Sequence, residues 1–213
     1  MSKTTKLLPE LRFPEFQKNK DWELRPLSDF LNESRIIGSK GNVAKKITVK
    51  LWGRGVFEKN EAIQGSINTQ YFRRKTGQFI YSKLDFLNQA FGIIPANLDN
   101  FESTVDLPSF DILSGLNSTF LLEYVQRKDF YEKLGETADG SRKARRIHAK
   151  TFLSFSVTFP SIAEQQKIAN CLGSLDDLIA AHSRKLMPSK ITKKASSSNS
   201  SPPKARRFPS YGF

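Results

Sequence analysis

One patterned helix near the C-terminal end constrains this chain most: SIAEQQKIANCLGSLDDLIAAHSRKL, residues 161–186. Its opening SIAE fits a capping box, in which Ser161 caps the first turn and Glu164 reaches back to the cap. Ile168, Leu172, Leu175, Ile179, His182 and Leu186 then recur at steps of four, three, four, three and four, the seam of a coiled coil. Such a stripe needs cover. A partner helix supplies it in one reading; in the other, an ordinary helix lies on its own domain.

Upstream of the helix the pattern changes. Between Lys46 and Ile94 the segments KITVKLWG, QYFRR and GQFIYSKLDF are rich in β-branched and aromatic residues and broken by Gly53, Gly55, Gly65 and Gly77, which predicts a twisted sheet with turns. Residues 118–134 place Phe120, Leu121, Tyr124, Val125, Phe130, Tyr131 and Leu134 at helical spacing, predicting one or two amphipathic helices. FLSFSVTFP alternates like a last strand halted at Pro160. Pro9 and Pro14 make the N-terminal lead extended. The expected organisation is an arm over 1–21, a globular α/β (α+β) domain over 22–160 with a twisted mixed or antiparallel sheet, one long protruding coiled-coil-type helix over 161–187, and a tail over 188–213.

The chemistry of many enzymes is missing. No Asp or Glu is followed two positions later by Lys, so the acid-x-Lys element of many metal-dependent nucleases is absent. No Gly-Lys dipeptide exists to build a Walker A phosphate loop. The two histidines, His148 and His182, are far apart and Cys171 is the single cysteine, so no zinc spacing can be assembled and no internal disulfide forms. Asp176 and Asp177 are adjacent on the helix and point apart, a solvated face and not an acid–base pair. The expectation is no catalytic residue, no metal and no cofactor. No apolar run approaches the ~20 residues that span a bilayer, and the N-terminus lacks the apolar core of a signal peptide. A cytoplasmic location without a membrane partner is expected.

The charge points elsewhere. Lys+Arg 34 against Asp+Glu 21 gives a net +13, a balance that favours a polyanion through phosphate neutralisation. Two basic clusters stand out as DNA-binding candidates. The first is Ser141, Arg142, Lys143, Arg145 and Arg146, in a Gly-flanked loop without a hydrophobic period; arginines there suit phosphate or guanine edges. The second is Arg73, Arg74 and Lys75, which equally suits a sheet edge guarded by positive charge. Lys40, Lys45 and Lys46 flank a glycine-containing loop and rank below both.

Three stretches together resemble a known family. They are PELRFPEF at 9–16 with Trp22 and Leu27 following, GQFIYSKLDFLNQAFGIIP at 77–95, and FPSIAEQQKIANCLGSLDDLIAAHSRKL at 159–186. This sequence looks like a specificity subunit of a type I restriction-modification system, over roughly residues 5–187. The last stretch, a strand-ending proline followed by a capped helix with EQQKIA and LDDLI, is the most specific. The resemblance implies a target recognition domain that reads one half of a split double-stranded DNA site. It also implies a helix that pairs in an antiparallel coiled coil and docks methyltransferase subunits, with restriction subunits completing the complex. Methylation with S-adenosylmethionine, and cleavage with ATP and Mg, would belong to those partners, which fits the missing chemistry. Other readings are a small DNA-processing enzyme with an unfamiliar site, or a helix-mediated interaction protein with vestigial DNA binding.

The sequence departs from the family in having one recognition domain and a helix interrupted at Pro188. Read one base out of frame, with synonymous codons chosen freely, MPSKITKKASSSNSSPPKARRFPSYGF yields DALKDHKKGLLQQLFPAEGETVPKLRF. That string extends the helix and then echoes PELRF at 9–13, so the tail is expected to be frameshift-derived and disordered. Its six basic groups, Lys190, Lys193, Lys194, Lys204, Arg206 and Arg207, come with no acidic residue. Setting the tail aside lowers the net charge from +13 to +7. Two copies of such a chain could pair as a homodimer through their seams, which would make the recognised site palindromic.

Overall fold

A computed structural model describes residues 9, 11–60, 65–136 and 146–186. A first compact unit runs to Cys171 and a second begins at Leu172.

Among the described residues of the first unit, the named strands pair antiparallel. The central sheet has the order β2 (Leu31–Ser34), β10 (Ser109–Ile112), β7 (Phe79–Tyr81), β8 (Phe91–Ile93). All three residues of β7 are fully buried, as expected of an apolar strand flanked on both edges and covered on both faces. A second sheet has the order β3 (Ile36–Lys40), β6 (Gln70–Arg73), β9 (Glu102–Ser103). A hairpin of β4 (Ile47–Val49) and β5 (Val56–Glu58) packs beside them. Gly92 lets β5 approach β8, since a Cβ there would meet Val56 Cγ2 at 2.6 Å. The last pair, β1 (Glu23–Pro26) with β11 (Ser156–Phe159), joins sequence ends 133 residues apart from Glu23 to Ser156.

Two cores hold this unit. The larger is aromatic: Phe79 lies within 6.4 Å of the rings of Tyr81, Phe91, Phe110 and Phe152, and each such side chain contributes ~1.5–3 kcal/mol on burial. The smaller is aliphatic, with Ile47, Val49, Val56, Ile80, Ala90, Ile94 and Leu98 beneath the β4–β5 hairpin.

Residues 118–134 fall in two helices. The first, α1 (Ser118–Val125), is capped by Asn117, whose side chain accepts from the Phe120 N–H at 2.9 Å. The second is α2 (Lys128–Glu136). FLSFSVTFP divides, because Phe152 and Leu153 end a short helix, α3 (Ala149–Leu153), and only Ser156–Phe159 form β11. Phe152 is drawn into the aromatic core, and that burial overrides the alternating pattern.

The long helix α4 spans Ile162–Leu186. Ser161 Oγ accepts from the Glu164 N–H at 3.4 Å, but Glu164 does not complete a capping box. Its carboxylate instead takes a two-pronged bond from Arg12, Nε to Oε1 and Nη2 to Oε2, both at 2.8 Å, and a third from Trp22 Nε1 at 3.2 Å. Arg12 belongs to the stretch expected to be an extended arm. Its Nη2 also donates to Lys20 O at 3.0 Å, so the guanidinium fastens its own turn to the helix. Next to Glu164, buried Gln165 donates through Nε2 to Gly115 O and Pro160 O, both at 3.0 Å, and accepts from Asn117 N at 2.9 Å. The first turns of α4, up to Cys171, are therefore part of the first unit and bonded into it.

Candidate nucleic-acid interface

The basic residues are unevenly distributed. Residues 36–75 hold nine Lys and Arg against Glu58 and Glu61, a net +7, equal to the whole charge of the chain outside the tail. Residues 1–35 and 76–187 together balance to zero.

The fold gathers much of this charge at one β-layer. β3 ends at Lys40, opposite Gln70 of β6, and β6 ends at Arg73, opposite Ile36. A parallel bridge between Lys46 and Glu102 brings the Lys45–Lys46 segment alongside β9 at the other edge. Lys40, Lys45 and Arg73 are exposed, with Lys50, Arg54 and Lys59 of the adjoining hairpin also at the surface. Lys75 is half-buried; its Nζ donates to Asn100 Oδ1 at 2.7 Å. Inside the layer, the carboxylate of Glu102 accepts from the Ser39 N–H through both oxygens at 3.0 Å. A Cβ on Gly38 would strike Glu102 Oε1 at 2.6 Å, so only glycine leaves room for that bond.

Two expected contacts are corrected. Arg74 is 2% exposed and points inward, not to solvent. Its Nε donates to Ser103 Oγ at 2.7 Å, Nη1 to Ser34 O and Ser109 Oγ at 2.9 Å, and Nη2 to Leu107 O at 3.0 Å and Thr104 O at 3.3 Å. All five N–H groups are used, on oxygens of β2, β9, β10 and the β9–β10 turn. Burial pushes the guanidinium down to about 10, which leaves it charged at neutral pH. Arg74 is thus a structural clamp between the two sheets. Lys46 is likewise buried, with Nζ 5.5 Å from the centre of the Tyr71 ring. Arg74 directly follows β6 and Lys46 directly precedes β4, so both sit where the chain leaves or enters a sheet and not in a strand with a free face.

Of the loop candidates, Arg146 is exposed and lies 3.9 Å from Asp106, in the turn that also caps Arg74. Ser141, Arg142, Lys143 and Arg145 lie outside the described residues. Along α4, Ile168 is partly buried against the aromatic core, not held open for a partner. Leu172 is half-buried, and Leu175 at 50% exposed, Ile179 at 64% and His182 are open to solvent, as is Leu178 at 57%. The Leu186 side chain and residues 187–213 lie outside the described residues. Among the described residues no group of three or more His, Cys, Asp and Glu could hold a metal ion. No described helix is long and apolar enough to cross a membrane.

Sequence reasoning missed one exposed element. In the run KITVKLWG, Trp52 reads as strand, yet it sits at the tip of the β4–β5 hairpin, 57% exposed. Its spacing gives no warning; the signal present is the flanking WGRG, whose two glycines mark a turn.

No protein-family model and no curated protein matches this sequence. Solved structures do match. A chain from a structure describing complex assembly and conformational transition of the type I R-M system aligns with TM-score 0.50 and 12% identity, over 83% of this chain and 42% of that one. The type I restriction-modification S subunit from M. genitalium aligns with TM-score 0.51 and 16% identity, over 80% of this chain and 42% of that one. The HsdS subunit from Thermoanaerobacter tengcongensis aligns at TM-score 0.44 and 13% identity. This chain spans about two fifths of the length of the chains it matches. With its antiparallel sheets, flanking short helices and long C-terminal helix, the chain has the fold of type I restriction-modification S subunits.

Proposed function

We propose that this chain binds double-stranded DNA sequence-specifically, as one target recognition domain with its helix from a type I restriction-modification specificity subunit. It reads one half of a split target and docks the methyltransferase subunit; a restriction subunit completes the assembly. The observation that carries the reading is the shared fold over 80% of this chain. The concentration of the charge in residues 36–75 supports it, because that segment meets phosphate without help from the tail. The chain itself performs no chemistry: S-adenosylmethionine, ATP and Mg serve the partners. Incubation with DNA, Mg and S-adenosylmethionine yields no product, and a cleaved or methylated strand would favour an enzyme instead.

Leu175, Leu178 and Ile179 favour pairing of the second unit through its helix, with another copy or with a partner helix. Light scattering on the full chain, alone and mixed with the methyltransferase subunit, tests this assembly. The expected result is one species containing both proteins. Two species that keep their separate masses at moderate salt would contradict it.

A further inference from the structure

The loop between β4 and β5 is built in an unusual way. Trp52 has φ of +61°, a left-handed conformation that a bulky side chain adopts only at a cost, and Gly53 follows at +64°. The strain is held from outside the loop. Trp52 N–H donates to Asn88 O at 2.8 Å and Gly53 N–H to Gln89 O at 2.9 Å, so the tip is fastened to the turn before β8, while Lys50 N–H closes the hairpin on Gly55 O at 2.9 Å. Burial explains little of this arrangement, because Trp52 is 57% exposed and Leu51 beside it is 38% exposed. A relaxed turn with glycine at position 52 would avoid both the strain and the exposed ring.

The surroundings indicate what the ring meets. From Arg35 to Phe57 the chain holds six basic residues, including Lys50 and Arg54 on either side of the tip, and no acidic one. An apolar ring between two cations on a braced hairpin matches the chemistry of a duplex, where phosphates flank the faces of sugars and base steps. A protein surface of mixed charge would gain little from that pairing of features.

We infer that the Lys50–Gly55 loop is a rigid DNA-contacting wedge, in which Trp52 lies against a base step or sugar of the duplex and Lys50 and Arg54 hold the adjacent phosphates. This rests on the DNA-binding function proposed above. The left-handed backbone aims the indole outward, and the bonds to Asn88 and Gln89 keep it from folding back, so little ordering entropy is lost on contact.

The test uses the full chain, its W52A, W52G and W52F variants and the K50A/R54A double variant, titrated with a mixed-sequence DNA duplex at low salt. The wild-type tryptophan emission that W52F lacks is expected to be quenched on binding. W52A is expected to bind at least about fivefold more weakly, the lower end of what one lost base–aromatic contact costs. K50A/R54A is expected to lower the slope of log affinity against log salt by about 2. W52G keeps the left-handed backbone without strain, which offsets the side-chain contacts and chain entropy it loses, and its melting curve separates a loss of affinity from misfolding. Wild-type binding matched by all the variants, with Trp52 emission unchanged, would overturn the wedge and leave the DNA-binding function standing. So would variants that keep duplex affinity but lose the methyltransferase subunit, which would assign the loop to a protein contact. A wild type that fails to bind any duplex would overturn both.

Discussion

Replacing Arg74 separates a clamp from a DNA reader. In Arg74→Ala, five donors disappear from a site that is 2% exposed. Not all five bonds are lost in full. Ser103 Oγ already donates to Leu107 O at 2.9 Å, and the bond to Thr104 O is long at 3.3 Å, so those acceptors partly keep a partner or had a weak one. Ser34 O loses its bond, Ser109 Oγ must find another partner, and a cavity the size of the side chain remains. Stranded acceptors cost ~1–3 kcal/mol each. Relief of the buried charge offsets part of this, so the net loss is about 3 kcal/mol. For a chain of this length that lowers Tm by roughly 6–12 °C. Arg74→Lys keeps the charge but not the fork, and falls between. The assay is thermal unfolding followed by circular dichroism, with Arg73→Ala as the surface comparison. If Arg74→Ala melts with wild type and only its DNA affinity falls, the assignment of Arg74 as a clamp is wrong.

Breaking one partner of the Arg12–Glu164 pair, in Glu164→Gln, destabilises the first unit by about 3 kcal/mol, since a nearly buried cation loses its counter-charge; urea unfolding monitored by Trp22 emission in a W52F background reads both the loss and the altered indole bond. Gln165→Ala removes three hydrogen bonds at the root of α4 and costs ~2–3 kcal/mol, visible as a lowered midpoint at unchanged slope. Arg73→Ala combined with Lys40→Ala leaves Tm within about 2 °C of wild type, as surface changes do, and lowers the salt slope of duplex binding by about 2.

The sequence carries the long helix plainly, because steps of three and four over 19 residues, from Ile168 to Leu186, arise from few other structures. The sheet is legible as a kind and not as a connection. β1 and β11 pair across most of the chain, and nothing local in ELRP or SVTF names the other as its partner. Glu164 shows the same limit at one residue. SIAE satisfies the local rule for a capping box, but an arginine 152 positions away offers a stronger, charge-assisted partner and takes the carboxylate. At the interface, a basic run reveals that charge is present but not which members face water. Arg73 and Arg74 are adjacent in sequence and opposite in fate. Trp52 fails to announce itself because a hairpin tip and a strand interior use the same aromatic residue until the turn is placed.

The account rests on this chain recognising a DNA sequence, and one selection experiment tests that most directly. The full chain is mixed with a random-sequence duplex pool at moderate salt, the bound fraction is recovered and amplified over successive rounds, and the products are sequenced. The account predicts enrichment of a short defined motif, repeated as a palindromic split site when two copies pair through their helices. A folded protein that enriches no sequence over the starting pool would contradict it.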